Sequence, residues 1–287
     1  MKRSFKITII FLVLIALIAV SALLVMTSDV PVLDPKGIIA QQEKDLLITT
    51  FLLMVIVMIP VFVFTLMFAY HYREKNLAAR YEPTWEHNNL AEYFWWGVPI
   101  CIIFVLSIIT WKTTHDLDPF KPLDDGKPPV AIQVVALQWK WLFIYPEEGI
   151  ATVNYIQFPE KRPINFTLTG DAPMNSFWIP RLGGQIYAMP GMQSKLYLMA
   201  KQPGEFRGSS AHISGEGFAG MVFTAKASSE EDYLSWIETT RSEGSLLTFS
   251  EYLELAKPSE NVPAQYYTVE SDLFAQILEQ YQRPEVE

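Results

Sequence analysis

The chain has one cysteine and four histidines among its 287 residues. A single cysteine, Cys101, cannot form an internal bridge, so a disulfide-stabilised secreted scaffold is excluded. No two of the histidines stand three or four residues apart, which argues against a haem or a catalytic metal held by this chain alone; they are His71, His87, His115 and His212. Signatures of hydrolases, phosphate-binding loops, zinc proteases and C-x-x-C redox proteins are also missing.

Charge is scarce and unevenly placed. Charged residues make up 18% of the chain and hydrophobic residues 50%, which is less charged and more apolar than the soluble average. The formal net charge of -9 disfavours a nucleic-acid partner. Residues 112–227 hold 11 basic and 10 acidic residues, whereas residues 228–287 hold 3 and 13. A nearly neutral region is therefore followed by a strongly acidic tail.

Three long runs contain no charged residue: residues 7–26, 46–70 and 93–111. Because a helix rises 1.5 Å per residue, about 20 apolar residues cross the hydrocarbon core of a bilayer. The second and third runs are predicted transmembrane helices. The first follows Lys2, Arg3 and Lys6, and it is either a signal peptide or a retained N-terminal anchor.

Lysine and arginine in the short loops predict the orientation of this hairpin. The loop between the second and third runs carries Arg73, Lys75 and Arg80, whereas residues 27–45 carry only Lys36 and Lys44. Because positive loops stay in the cytoplasm, the hairpin turns there and residues 112–287 lie on the outer side.

The exported part changes character along its length. Short runs rich in Val, Ile, Tyr, Phe and Thr predict the strands of a sandwich or barrel, at residues 130–137, 151–158, 164–169, 185–189, 195–200 and 220–227. The tail is predicted to be helical. Ser228 with Glu231, and Thr248 with Glu251, have the spacing of capping boxes, and Ser271 is a candidate cap for a helix over 272–282.

Four sequence blocks in the exported part then become informative: QWKWLFIYP at 138–146, MNSFWIPRLG at 174–183, QIYAMPGM at 185–192 and SGEGFAGM at 214–221. With the preceding hairpin, they resemble subunit II of the haem–copper terminal oxidases. The resemblance is strongest to the quinol-oxidase branch and, within it, to the cytochrome bo ubiquinol oxidases. It implies an α+β membrane protein with a transmembrane hairpin, an all-β cupredoxin-like sandwich and a short C-terminal helical tail.

We therefore expect four regions. Residues 1–26 are the signal peptide or anchor, and residues 27–111 form the hairpin. Residues 112–227 form the cupredoxin-like domain, and residues 228–287 form the acidic helical tail. The lipoprotein cysteine that related subunits often carry after the signal is missing, since residues 25–28 read VMTS.

The resemblance also identifies positions where cytochrome c oxidases hold a dinuclear copper centre. That centre uses thiolate and imidazole ligands, which suit copper. Of the corresponding residues only Met221 is a ligand type that the centre uses at its position, and the others are Asn175, Ser210, His212, Ser214 and Phe218. We expect no metal or other cofactor on this chain. Trp139 and Trp141 match the aromatic electron-entry region and are expected to serve in packing instead.

Without copper, the resemblance implies a proton-pumping quinol oxidase in a bacterial inner membrane. Quinol, the haems and copper would then lie on subunit I, with subunits III and IV as further partners and with no docking of cytochrome c. Two alternatives stay open at this point. One is a membrane-anchored cupredoxin-like binding module, and the other is a cytochrome c oxidase subunit II that has lost its copper site.

One ionisable residue has a role implied by the resemblance. Glu92 stands at the cytoplasmic start of the third apolar run, where the family has a glutamate at the mouth of a proton path into subunit I. Glu82 and Glu86 in the same loop match no such position. Glu92 is therefore a candidate for proton uptake, although an interfacial surface acid is the commoner fate of such a residue.

Overall fold

A computed structural model of the chain describes residues 20, 23, 29–80, 82, 84, 86–124, 126–270 and 272–282. These residues form two compact units, one made by Gln42–Pro122 and the other by Leu123 onward together with the residues up to Gln41. The predicted signal or anchor over 1–26 lies almost entirely outside the described residues, and so does the predicted cap Ser271.

Two long helices contain the predicted transmembrane runs. Helix α1 spans Ile38–His71 and helix α2 spans Asn89–Asp116. Both are long and apolar enough to cross a bilayer. Their large apolar side chains are exposed, and no residue of α2 is buried within the chain. So much exposed apolar surface is stable in lipid, and the chain is membrane-anchored.

The second unit, which we call the exported unit after the orientation predicted from the sequence, is a sandwich of two sheets. Its strands are β1 Val130–Leu137, β2 Lys140–Tyr145, β3 Ile150–Val153, β4 Tyr155–Pro159, β5 Ile164–Gly170, β6 Asn175–Trp178, β7 Ile186–Ala188, β8 Ser194–Leu198, β9 Gly204–Ser210, β10 Val222–Ser228, β11 Ser245–Leu247 and β12 Gln265–Val269. The seven-stranded sheet has the order β11-β12-β3-β2-β1-β5-β8, and the five-stranded sheet has the order β4-β10-β9-β6-β7. Three further helices follow β10: α3 Glu230–Glu243, α4 Phe249–Leu255 and α5 Leu273–Gln282.

The predicted single strand over 151–158 is wrong, because the chain changes sheets within it. Asn154 adopts φ 53°, a left-handed conformation that asparagine tolerates better than most residues. The turn ends β3 and begins β4, which lie in different sheets. The asparagine also fills a structural role, since its Oδ1 accepts from Trp141 N at 2.8 Å and its Nδ2 donates to Val262 O at 2.8 Å.

The tail is less helical than predicted. It contains β11 and β12, and β12 pairs antiparallel with β3, so that the tail extends the seven-stranded sheet. The predicted capping box at Ser228 is also wrong: Ser229 caps α3 by accepting from Asp232 N at 3.1 Å, and Ser228 ends β10. The capping box of Thr248 with Glu251 is confirmed at the start of α4.

Buried polar contacts hold the tail to the sandwich. The side chain of Lys140 is 1% exposed, and its Nζ donates to Lys257 O at 2.7 Å and to Ser259 Oγ. Burial lowers the pKa of this lysine. Asp171, after β5, accepts hydrogen bonds from the hydroxyls of Tyr252 and Tyr281. The tail is thus fixed by charged and polar partners that the sandwich supplies.

We expect Asn154→Ala to lower the free energy of unfolding of the exported domain. The substitution strains the left-handed backbone and leaves the buried Trp141 N–H and Val262 C=O without their partner. The second effect costs about 1–3 kcal/mol. Asn261→Ala is the matched control, because Asn261 has φ 52° but is exposed, and its side chain makes no hydrogen bond with another described residue. Urea unfolding of the detergent-solubilised chain, followed by tryptophan fluorescence, measures the free energy of unfolding of both variants. Equal losses in the two variants would contradict the role assigned to the Asn154 side chain.

The tail tyrosines predict an alkaline loss of stability. Burial, with the Asp171 carboxylate as a further cause, raises the pKa of Tyr252 and Tyr281 well above the ordinary value near 10. Above about pH 10 the unfolded chain loses these protons while the fold retains them, so the free energy of unfolding falls as pH rises. Urea unfolding at about pH 8 and pH 11 measures the fall, and Tyr252→Phe should reduce it. A stability that does not change over this range would contradict the prediction.

Candidate functional site

The residues predicted to stand at copper-ligand positions lie on β6, on β9 and on the loop that follows β9. Strands β6 and β9 pair antiparallel, with Phe177 opposite Ser210. The loop then makes a single 3₁₀ turn over Glu216–Gly220 and returns to β10. This arrangement brings the first predicted position, Asn175 on β6, beside the second, Ser210 at the end of β9.

The side chains of Asn175 and Ser210 are hydrogen-bonded to each other. Ser210 Oγ donates to Asn175 Oδ1 at 2.9 Å, and it accepts from the backbone N–H groups of Ser176 and His212 at 3.5 Å each. Asn175 Nδ2 donates to Pro173 O at 2.8 Å. The two residues are 1% and 5% exposed. Because most buried polar atoms in folded proteins are hydrogen-bonded, this pair fills the position with a satisfied polar contact.

Trp139 holds the loop against the sandwich. Its Nε1 donates to Ser214 O at 3.1 Å, and a Cβ added to Gly217 would stand 2.3 Å from the indole Cδ2 atom. Only glycine therefore allows the loop to lie this close to the ring. Gly215 has φ 113°, a conformation that also favours glycine. The glycines of the SGEGFAGM block thus shape a loop that packs on Trp139.

The other predicted copper-ligand positions are divided between the surface and the core of the sandwich. His212 is exposed, and its ring lies 6.5 Å from that of Tyr187. Met221 is fully buried in the sandwich core, whereas Phe218 is half-buried. Ser214 Oγ is buried and has no hydrogen-bond partner among the described residues.

These residues do not fit a dinuclear copper centre. Two bridging thiolates are its defining ligands, and hydroxyl groups stand at both positions. The chain's one cysteine, Cys101, lies in α2. Within the part of the chain that the structure describes, no group of three or more His, Cys, Asp or Glu side chains could hold a metal ion. We therefore derive no electron-transfer step through copper on this chain.

The aromatic residues of the QWKWLFIYP block serve in packing. Trp141 is fully buried, with its ring centroid 5.3 Å from that of Phe177 and 5.9 Å from that of Phe223. Trp139 is half-buried against the same core. Both contacts are those expected of packing residues in a sandwich.

Glu92 lies in the first turn of α2, in the membrane unit. Asn88 caps this helix by accepting from Ala91 N at 3.1 Å, and Glu92 N donates to Asn88 O at 2.9 Å. The Glu92 side chain is half-buried, and a carboxylate in a first turn is favoured by the helix dipole. The neighbouring acid Glu86 is exposed, and Glu82 pairs with Arg80.

Comparisons with known proteins give a consistent set of matches. Residues 241–285 match the family model described as the COX Aromatic Rich Motif. The chain is 51% identical to cytochrome bo(3) ubiquinol oxidase subunit 2 of Pseudomonas aeruginosa over 91% of its own length and 79% of the relative's. It is 47% identical to ubiquinol oxidase subunit 2 of Acetobacter aceti over 91% of its length and 86% of the relative's.

A solved structure also matches the exported part. It is the periplasmic domain of subunit II of cytochrome oxidase from Bradyrhizobium japonicum, which is 23% identical, with a TM-score of 0.40. The match covers 41% of this chain and 97% of that domain.

We expect Ser210→Ala to destabilise the exported domain by about 1–3 kcal/mol, because it leaves the buried Asn175 Oδ1 without a donor. Ser209→Ala is the matched control: it removes the same hydroxyl one residue away, where the side chain is half-buried and makes no hydrogen bond. The control should change the free energy of unfolding by less than about 0.5 kcal/mol. Urea unfolding distinguishes the two. A Ser210→Ala variant as stable as the parent would show that the polar pair is dispensable.

Proposed function

This chain belongs to the quinol oxidase subunit 2 family, and from that premise we propose that it supports the catalytic subunit of the oxidase without a copper centre of its own. The chain is a subunit of an oxidoreductase that oxidises quinol with oxygen. The buried contact between Asn175 and Ser210 carries the proposal. At two of the positions where copper ligands would have to stand, the fold has an amide and a hydroxyl group that are hydrogen-bonded to each other.

The reaction of the complex follows from its substrates. Two quinols release four electrons and four protons, and one oxygen molecule takes up four of each to give two waters. No described group on this chain is suited to carry the electrons. Quinol oxidation, the haems and the oxygen-reducing metal site therefore belong on subunit I in our proposal. Subunits III and IV complete the proposed assembly.

A soluble cytochrome c has no role in this scheme. Such a donor would need a metal acceptor near the surface of the sandwich, and the tryptophans of the corresponding region are occupied in packing. Residues 112–227 carry a net charge of only 11 − 10 = +1, which offers no attraction for a basic cytochrome.

The membrane arrangement is part of the proposal. Arg73, Lys75 and Arg80 in the loop between α1 and α2 support a cytoplasmic position for that loop. The sandwich then lies on the outer side of a bacterial inner membrane. The exposed apolar faces of α1 and α2 are suited to pack on the transmembrane helices of subunit I.

We propose in addition that Glu92 helps to deliver protons from the cytoplasmic side. A half-buried carboxylate at the cytoplasmic start of a membrane helix can take up a proton from water and pass it on.

Assembly gives the first test. In a mild detergent the chain should co-purify with a larger haem-containing polypeptide, because α1 and α2 bury almost none of their own apolar surface. Size-exclusion chromatography with haem absorbance measures this. Recovery as a stable, haem-free monomer from cells that express the whole complex would overturn the proposed support role.

Copper gives the second test. The purified chain, incubated with copper(II) and then passed over a chelating resin, should retain no stoichiometric metal and show no thiolate-to-copper absorption band, because the required thiolates are absent. Elemental analysis and the visible spectrum provide the readouts. Two retained copper ions per chain would contradict the donor assignment.

Glu92→Gln gives the third test. The substitution keeps size and polarity but removes the titratable proton. It should lower quinol-driven oxygen consumption per haem by roughly two- to tenfold and leave assembly unchanged. Glu86→Gln is the control, since Glu86 is exposed and makes no ion pair with any residue that the structure describes. Equal rates in the parent and both variants would identify Glu92 as an ordinary interfacial acid.

A further inference from the structure

A groove of about 620 Å³ opens on the exported unit between α3, β4 and β12. This volume is in the range of small-molecule sites, roughly 300–1,000 Å³. Strand β4 is the edge of the five-stranded sheet, and β6 and β9 are separated from it by β10. The groove is therefore distinct from the lost copper position. We name it the tail groove, because Glu243 and Tyr266 of the tail line it.

One wall of the tail groove is aromatic. The ring of Tyr155 lies 5.9 Å from Trp236 and 5.8 Å from Tyr266, centroid to centroid. Behind them the fully buried Tyr145 packs 5.5 Å from Trp236. Tyr266 remains 39% exposed. The rings thus form a supported wall with one open edge.

The floor of the tail groove is fixed by hydrogen bonds. Tyr155 OH donates to Gln157 Oε1 at 2.9 Å, and Gln157 Nε2 donates to Ser228 Oγ at 3.0 Å. Burial raises the pKa of Tyr155 to about 12, so its hydroxyl proton is retained at neutral pH. A floor that is already ordered reduces the entropy lost when a ligand binds.

The rim, in contrast, carries polar groups that the fold leaves unused. Among the described residues, Trp236 Nε1, Lys226 Nζ and Tyr266 OH have no hydrogen-bond partner, and Glu243 makes no ion pair. All four residues line the groove. The groove therefore offers free donors, a free acceptor and charges of both signs beside aromatic rings.

We propose that the tail groove binds a saccharide. A pyranose ring presents a face of C–H groups, which packs on aromatic rings, and a rim of hydroxyl groups that both donate and accept hydrogen bonds. The aromatic wall matches the first feature, and the unused groups of Lys226, Trp236 and Glu243 match the second. The carboxylates of Asp232 and Glu243 would repel an anion, and the ammonium group of Lys226 would repel a cation. A neutral polyhydroxylated ligand can form hydrogen bonds with groups of both charges.

The site would give a role to the aromatic-rich segment over residues 241–285. This segment supplies Tyr266 and Glu243, the last residue of α3, and the rest of α3 lines the groove together with β4 and β10. Binding would then depend on the docked tail. This proposal is independent of the role of the chain in the oxidase.

Saturation-transfer NMR on the full chain tests the site, with triacetylchitotriose and maltotriose as probes. The chain should be held in a detergent without a sugar headgroup, since a maltoside would compete. At least one probe should bind saturably, with transfer to its ring C–H protons. Tyr266→Ala should weaken binding by about five- to tenfold, as expected for the loss of one ring contact.

Two further variants make the result specific. Lys226→Met should also weaken binding, and it removes no hydrogen bond within the fold. Tyr187→Ala is the matched control, because Tyr187 is 47% exposed on β7, at the opposite edge of the sheet, and should bind like the parent. The proposal is overturned if neither trisaccharide binds saturably, if Tyr266→Ala and Lys226→Met both bind like the parent, or if tetramethylammonium binds and the saccharides do not.

Discussion

The exported unit depends on the turn at Asn154. Because this residue adopts a left-handed conformation, a single apolar run is divided between β3 of one sheet and β4 of the other. Its side chain then joins β2 to the tail through Trp141 N and Val262 O. Backbone geometry and side-chain hydrogen bonding thus act at one residue to connect both sheets with the tail. Both the copper position and the tail groove are built on this frame.

The residues at the predicted copper-ligand positions form an ordered part of the sandwich without a metal. Asn175 and Ser210 satisfy their own polar atoms, so neither of these two side chains needs a metal as a partner. Trp139 and the glycines beside it still hold the loop in place. The loop is therefore held by its packing on the sandwich. Packing alone is therefore enough to order these residues, and hydroxyl groups stand at both predicted thiolate positions.

Much of this architecture was predictable from the sequence, because its signals are strong and local. The two uncharged runs indicate the membrane helices, and β1 matches its predicted bounds of 130–137. The strand over residues 140–145 was missed because all of its residues are buried and no alternation marks it. The tail strands β11 and β12 have three and five residues, and only their pairing with each other and with β3 defines them. The tail groove could not be predicted, because its residues come from four separate elements.

The position of β12 explains why the aromatic-rich tail belongs to the sandwich. Without the tail, β3 would be the edge of the seven-stranded sheet, and its backbone groups would be open to pairing with another chain. Strand β12 covers that edge, with Tyr266 opposite Thr152. Lys140 holds the segment before β12 through Lys257 O, and Asp171 holds the segment after it through the hydroxyl of Tyr281. The acidic residues of the tail remain on its outer surface for the most part, where water solvates them. The tail is therefore an integral layer of the exported domain, and its removal would expose a sheet edge together with part of the core.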